Sequence, residues 1–262
     1  MAYWKDTWEF SDSIEHEYKF AGKYGAKGEK RAKKKKATKE QIAKQNQRNR
    51  VKKIRRLMKA NFHPGDLWCT FKYPAGTRKN IEEVRKDREK FCEAMRRVCK
   101  KIGQPFKFIY RIEIGAKGGI HLHMVINRLK GVDTDLLIQK YWPHGRVNFQ
   151  SIYESGGYKD LAEYIVKQPD EEQNKQLSLF PKEDRKKLIT YNSSRNLVRP
   201  QPERKKYTRR TMRKLIEEGP TPTPGYYIDK DSIVQGVNPY TGMSYLYYTE
   251  YRLKEWNRRK GG

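Results

Sequence analysis

The segment Ile120-His121-Leu122-His123-Met124 carries two histidines spaced for joint chemistry. Side chains alternate across a strand, so residues two apart project to one face, about 7 Å from each other. Upstream, Phe106 to Ile114 reads as a second strand, and a glycine-rich turn joins the two. If Gly115 pairs with Gly119 across a three-residue loop, the antiparallel register sets Glu113 opposite His121 and Arg111 opposite His123. Ile112, Ile114, Ile120 and Leu122 then turn to the other face, as core. Glu113, His121 and His123 form a two-histidine, one-carboxylate set with open positions, suited to Mg²⁺ or Mn²⁺ acting as a Lewis acid. A slip of one residue in the hairpin would destroy it.

A second group lies downstream, on a predicted helix from about 157 to 168. Tyr158, Leu161, Ala162 and Ile165 follow the i, i+3, i+4, i+7 pattern of a buried stripe. At about 100° per residue, Tyr164 falls off that stripe, with Lys167 one turn on. Tyr158 is therefore a core tyrosine, whereas Tyr164 can present its hydroxyl to a cleft with Lys167 beside it. A tyrosine is a nucleophile only with help, because a phenol of pKa near 10 is mostly protonated at neutral pH.

The elements that must position these groups begin near Phe62. Asp66 to Tyr73 alternates as a strand, ended by Pro74. Residues 79 to 102 form an amphipathic helix through Ile81, Val84, Phe91, Met95, Val98 and Ile102, stopped at Gly103. After the hairpin come a short helix from Asp133 to about Tyr141, a strand from Arg146 to Tyr153, and the tyrosine helix, closed by Pro169. The order βαββαβ predicts an α+β domain, an RRM-like antiparallel sheet with helices on one face. Residues 170 to 187 read as loop, Tyr207 to Glu218 as a basic helix, Gly219 to Gly225 as a proline-rich linker, and Ser232 to Val237 with Met243 to Tyr251 as a tyrosine-rich hairpin.

The three groups together resemble a known family. Leu67-Trp68-Cys69-Thr70-Phe71-Lys72-Tyr73 is similar to the first motif of the HUH endonucleases, the rolling-circle replication initiators of small plasmids and single-stranded DNA phages. Gly119 to Val125 resembles their His-hydrophobic-His motif, and Tyr164-Ile165-Val166-Lys167 their Y-x-x-K motif, in the initiator order. The resemblance covers about residues 62 to 170. It implies metal-assisted attack of Tyr164 on single-stranded DNA, a 5′-phosphotyrosine link, a free 3′-hydroxyl and later rejoining, with Lys167 assisting. Gln168 stands where some relatives carry a second tyrosine, which implies a single nucleophile, and no G-x-x-x-x-G-K-[ST] helicase loop occurs. The implied partners are an origin hairpin and the host helicase and polymerase, in the cytoplasm of a bacterial host. A transposase or relaxase would share the motifs. A non-catalytic, RRM-like single-strand binder would share the element order, with bases stacking on Phe71 or Tyr73.

Composition agrees with a nucleic-acid partner. The chain of 262 residues holds 59 Lys and Arg against 31 Asp and Glu, a net charge of +28. No stretch of about 18 apolar residues occurs, and no signal core follows Met1, so membrane spanning and secretion are not expected. Cys69, Cys92 and Cys99 lack metal or disulfide spacing and read as reduced core residues. Residues 22 to 60 hold 17 basic and 2 acidic residues. There Lys33, Lys34, Lys35 and Lys36 form a run, and Thr38 with Gln41 reads as a capping box opening a basic helix to about Ala60. Arg48, Arg50, Lys52, Lys53, Arg55 and Arg56 of that helix, with Arg111 of the hairpin, are the expected phosphate contacts. The expected division is a basic, helical DNA-binding extension at 1–61, the endonuclease domain at 62–170 and a small basic C-terminal region at 171–262.

Overall fold

The computed structural model describes residues 3–21, 37–77, 79–115, 118–152, 158–238 and 242–253. The chain divides into two compact units, Met1–Ala43 with Pro200–Gly262, and Lys44–Arg199. This differs from the expected boundaries at 61 and 170. The physical reason is long-range strand pairing, which joins the two ends of the chain into one sheet.

The central unit is built on strands β3 (Leu67–Phe71), β4 (Phe108–Ile114), β5 (Ile120–Ile126), β6 (Val147–Ser151) and β7 (Tyr191–Ser193), in the order β6-β3-β5-β4-β7, all antiparallel. The class is α+β with an antiparallel sheet, as expected. One face carries Cys69, Phe71, Ile112, Leu122 and Met124, and packs against helix α2 (Ile81–Lys101) and helix α3 (Thr134–Tyr141). The Asn80 side chain accepts from the Glu83 backbone and Glu83 returns the bond, so both ends of a capping box hold the start of α2. Gly103, at φ 66°, supplies the left-handed residue that ends it. The three cysteines are free and buried.

The second face is divided. At one end Ile109 and Val125 meet Ile54, Leu57 and Met58 from helix α1 (Lys39–Lys59) and Ala162 and Ile165 from helix α4 (Lys159–Val166). The other end carries the polar residues of β3, β4 and β5. Thr38 and Gln41 exchange the two capping-box hydrogen bonds that open α1, and its last turns are core rather than solvated surface. Residues 170 to 187, expected as loop, form helix α5 (Glu171–Ser178) and helix α6 (Lys182–Ile189). Their apolar anchors, Leu177 and Leu188, are too few to show a period in sequence, yet both are buried in the α2-side core.

The other unit is a sheet in the order β10-β11-β2-β1-β8: β1 (Tyr3–Glu9), β2 (Ser13–Phe20), β8 (Glu203–Tyr207), β10 (Val234–Asn238) and β11 (Met243–Arg252), with β9 (Tyr226–Ile228) also pairing β11. The tyrosine-rich hairpin is present as β10 and β11. Helix α7 (Arg209–Glu218) places Met212 against Tyr3, Tyr18, Leu246 and Tyr248. The sequence reading placed no strand before residue 60. β1 and β2 are rich in charge, and their partners lie some 200 residues away, so no local pattern reveals them.

Candidate active site

The hairpin register is the expected one. Gly115 donates to the Gly119 carbonyl at 2.8 Å, Glu113 lies opposite His121, and Arg111 lies opposite His123. β5 is the central strand, so its histidines are flanked by β3 on one side and β4 on the other. The His121 ring lies against Gly115, where an added Cβ would stand 3.2 Å from Nε2, so the turn glycine leaves room for the imidazole.

The side chains meet along a diagonal rather than straight across. Glu113 Oε2 lies 3.2 Å from His123 Nε2, a contact the sheet allows because diagonal neighbours remain within reach of long side chains. Tyr164 donates its hydroxyl to the same Oε2 at 2.9 Å and stands 3.4 Å from His123 Nε2. His121 is parallel to His123 with ring centroids 6.3 Å apart, but it is one step removed from the carboxylate. The structure thus brings Glu113, His123 and Tyr164 together. Among the described residues, no three His, Cys, Asp or Glu side chains converge closely enough to hold a metal. Two of the three expected ligands do converge: a 3.2 Å separation suits neighbouring ligands on one ion with bonds of about 2.1 Å. The donor set of one carboxylate and imidazole nitrogen fits a divalent ion, and His121 completes it after a side-chain rotation.

Several residues that the sequence reading did not single out hold this arrangement. Trp68 stacks on His123, with centroids 5.3 Å apart and planes 9° apart, and meets the Tyr164 ring edge-on at 5.6 Å. Thr70 Oγ1 lies 3.2 Å from His123 Nδ1, which leaves Nε2 facing Glu113. Trp68 and Thr70 alternate with the core residues Cys69 and Phe71, so strand parity alone points them to the histidine face. Gln173 donates to Glu113 Oε1 at 2.7 Å while its own carbonyl accepts from the Asp170 backbone. The Asp170–Gln173 capping box is readable in sequence; its contact with Glu113 is not.

Electrostatics follow from these contacts. Burial works to raise the Glu113 pKa, but hydrogen bonds from His123, Gln173 and Tyr164 and the charge of Arg111 bring it down to about 2. Burial, then the Glu113 carboxylate, push the Tyr164 phenol well above its ordinary value, with only partial relief from Arg111. Burial and the neighbouring His123 and Lys72 lower the pKa of His121.

Arg111 is not a DNA contact. It is 1 % exposed, and its Nη1 donates to the Tyr164, Ile165 and Lys167 carbonyls at 3.1, 3.2 and 2.7 Å. A buried guanidinium needs such acceptors, and the C-terminus of α4 offers unpaired carbonyls and the negative end of the helix dipole. Lys167 lies just past that helix end and pairs with Asp170 at 3.3 Å, without touching the Tyr164 hydroxyl. Tyr158 is buried just before α4, in the left-handed conformation at φ 61°, and donates to the Phe62 carbonyl at 3.4 Å. Phe71 is fully buried and Tyr73 donates to Asp87, so neither is an open stacking platform. Of the basic helix, Arg48, Arg50 and Lys53 are exposed, and Lys52, Arg55 and Arg56 are half-buried. Lys33, Lys34, Lys35 and Lys36 lie outside the described residues, as does Tyr153.

An antiparallel sheet that gathers imidazole, carboxylate and a half-exposed tyrosine, in a strongly basic chain, defines an α+β nucleic-acid protein with a potential nucleophile. The comparison with known families agrees: residues 66–169 match the model of a family of replication-associated proteins of the ORF2 type. That part of the chain is similar to these replication-associated proteins, and the match supports a replication-initiator role. No curated protein matches the chain, and no solved structure matches it. Among the described residues, no helix is long and apolar enough to cross a membrane.

Proposed function

We propose that the central unit nicks single-stranded DNA at a replication origin through Tyr164 and later rejoins the strand. The observation that carries this reading is the meeting of Tyr164 Oη, Glu113 Oε2 and His123 Nε2 within 3.4 Å. A Mg²⁺ or Mn²⁺ ion held by Glu113, His123 and His121 would supply Lewis-acid polarisation of the scissile phosphate. Tyr164 Oη forms the bond to phosphorus, the P–O3′ bond breaks, and the departing oxygen takes a proton to become a free 3′-hydroxyl. The phenolic proton passes on to water, because a carboxylate of pKa about 2 is too weak a base to keep it. Lys167 is near enough to the helix end to turn from Asp170 towards a bound phosphate. Trp68 and His123 wall the phenol ring on two sides and limit its rotation. The energy of the phosphodiester is retained in the phosphotyrosine, so a 3′-hydroxyl can reverse the step and close a circle. The host helicase and polymerase are the partners that such a nick would require, in a bacterial cytoplasm.

The test uses the full chain, Mn²⁺ and labelled single-stranded oligonucleotides tiled across the DNA flanking its gene. A protein–DNA adduct that survives denaturation, with the linked peptide containing Tyr164, is the expected product. An adduct mapped to another tyrosine, or cleavage without any adduct, overturns the assignment.

A further inference from the structure

The sheet of the terminal unit has one face whose chemistry the nicking reaction does not use. Tyr3, Tyr18, Leu246 and Tyr248 point to α7 and form the core there. Their neighbours in sequence therefore point the other way. Trp4 lies between Lys19 on β2 and Lys206 on β8 in the strand register, and Tyr247 lies opposite Glu17 on β2, so these side chains share that second face. The Arg204 guanidinium sits 5.3 Å and the Lys206 ammonium 5.1 Å from the centre of the Trp4 ring. Tyr245 and Tyr247 stack on each other, with centroids 5.3 Å apart. Tyr245 leans over Gly236 of β10, where any Cβ would stand 2.8 Å from its hydroxyl, so the absence of a side chain there keeps the ring in place.

Two of the cations are fixed from below. Asp6 is fully buried and accepts from Lys19 at 2.6 Å and from Arg204 at 2.5 and 2.9 Å. The far ends of Lys19 and Arg204 remain 40 % and 47 % exposed. Lys206 is exposed and Trp4, Tyr245 and Tyr247 are half-buried. The result is an alternation of aromatic surface and cation across four strands, with little of the rotamer freedom that surface lysines and arginines normally lose on binding.

We propose that this face binds single-stranded DNA, with bases stacked on Trp4, Tyr245 and Tyr247 and phosphates held by Lys206, Arg204 and Lys19. Aromatic faces need unstacked bases, which a duplex does not offer, while the cations match the phosphates between them. The choice of DNA over RNA rests on the replication reading above; the surface itself does not depend on the nicking chemistry.

The experiment is fluorescence anisotropy on the full chain carrying Tyr164→Phe, so that no covalent product forms whether or not that reading is right. The probes are dT16, rU16 and an abasic 16-mer with the same number of phosphates. The Tyr164→Phe chain is expected to prefer dT16 over the abasic strand by about tenfold or more. Adding Trp4→Leu and Tyr245→Leu should remove that preference. Lys206→Ala should keep the preference and reduce the slope of log K against log salt by about 0.7. An unchanged preference in the Trp4→Leu, Tyr245→Leu chain overturns the proposal, and tighter binding of rU16 than of dT16 overturns its DNA assignment. Photocrosslinking of the otherwise unaltered chain to iododeoxyuridine-substituted 16-mers gives a readout that no folding defect can confuse. Crosslinks to Trp4, Tyr245 or Tyr247 are expected, and crosslinks only elsewhere count against the site.

Discussion

The Tyr164 hydroxyl is held in its protonated form by burial and by the Glu113 carboxylate, so positive charge near the phenol decides whether it reacts. His123→Ala removes the partner of Glu113 at 3.2 Å and the ring that Trp68 stacks on. It should abolish Mn²⁺-dependent cleavage, and calorimetric titration should show weaker Mn²⁺ binding. His121→Ala touches neither Glu113 nor Tyr164 in this structure and should act on metal affinity alone. Full cleavage by the double histidine variant would remove the site from consideration. Tyr158→Phe loses a 3.4 Å hydrogen bond to the Phe62 carbonyl and should cost no more than about 1 kcal/mol of stability. That variant should still form the adduct, as should Tyr153→Phe, whereas Tyr164→Phe should bind DNA and form none.

At the scale of elements, α4 is short, with eight residues, and helices of that length depend on tertiary contacts. Arg111 supplies one of them, tying the strand that carries Glu113 to the end of the helix that carries Tyr164. Arg111→Met leaves three carbonyls without that donor and should destabilise the central unit by about 2 to 4 kcal/mol, measured by urea denaturation. Arg111→Lys should recover only part, because a single ammonium lacks the planar fork of the guanidinium. Sheet β1-β2-β11 carries a pH-sensitive group of its own. His16 is buried between Thr7, Tyr248 and Glu250. Burial, then Lys5, lower its pKa to about 4, against the opposing pull of Glu250 and Glu15. Between about pH 6.5 and 4 the unfolded chain binds a proton that the folded sheet refuses, so stability falls as the pH drops through that window and is fully present above it. The loss should reach about 3 kcal/mol at most. His16→Gln should flatten this dependence in denaturation curves taken from pH 7 to 4; an undiminished slope would assign the acid sensitivity to other groups.

At the scale of the whole molecule, a net charge of +28 predicts strong, salt-dependent affinity for nucleic acid without sequence preference. α1 contributes its exposed flank to that field while its last turns are core, so removing the helix would damage the sheet it covers. The cleaner variant is Arg48→Gln, Arg50→Gln and Lys53→Gln together, all at exposed positions. It should reduce the slope of log K against log salt by about 2 to 3, weakening origin and random DNA alike. An unchanged slope would mean that this flank does not meet phosphate.

By itself the sequence determined the α+β antiparallel class of the central unit, the hairpin register and the faces on which Glu113, His121, His123 and Tyr164 lie. Those features rest on local periods of two and of 3.6 residues, and on a turn whose glycines fix the register, so they are set before distant parts of the chain meet. Tertiary structure alone decided that Glu113 turns diagonally to His123 and that Arg111 caps α4 rather than meeting DNA. It also decided that Gln173 reaches Glu113, and that strands from the two ends of the chain build a second sheet. Each of these contacts joins residues separated by tens to hundreds of positions, or selects among side-chain rotamers. Their energy comes from burial and from satisfying buried polar groups, neither of which leaves a periodic trace in the local sequence.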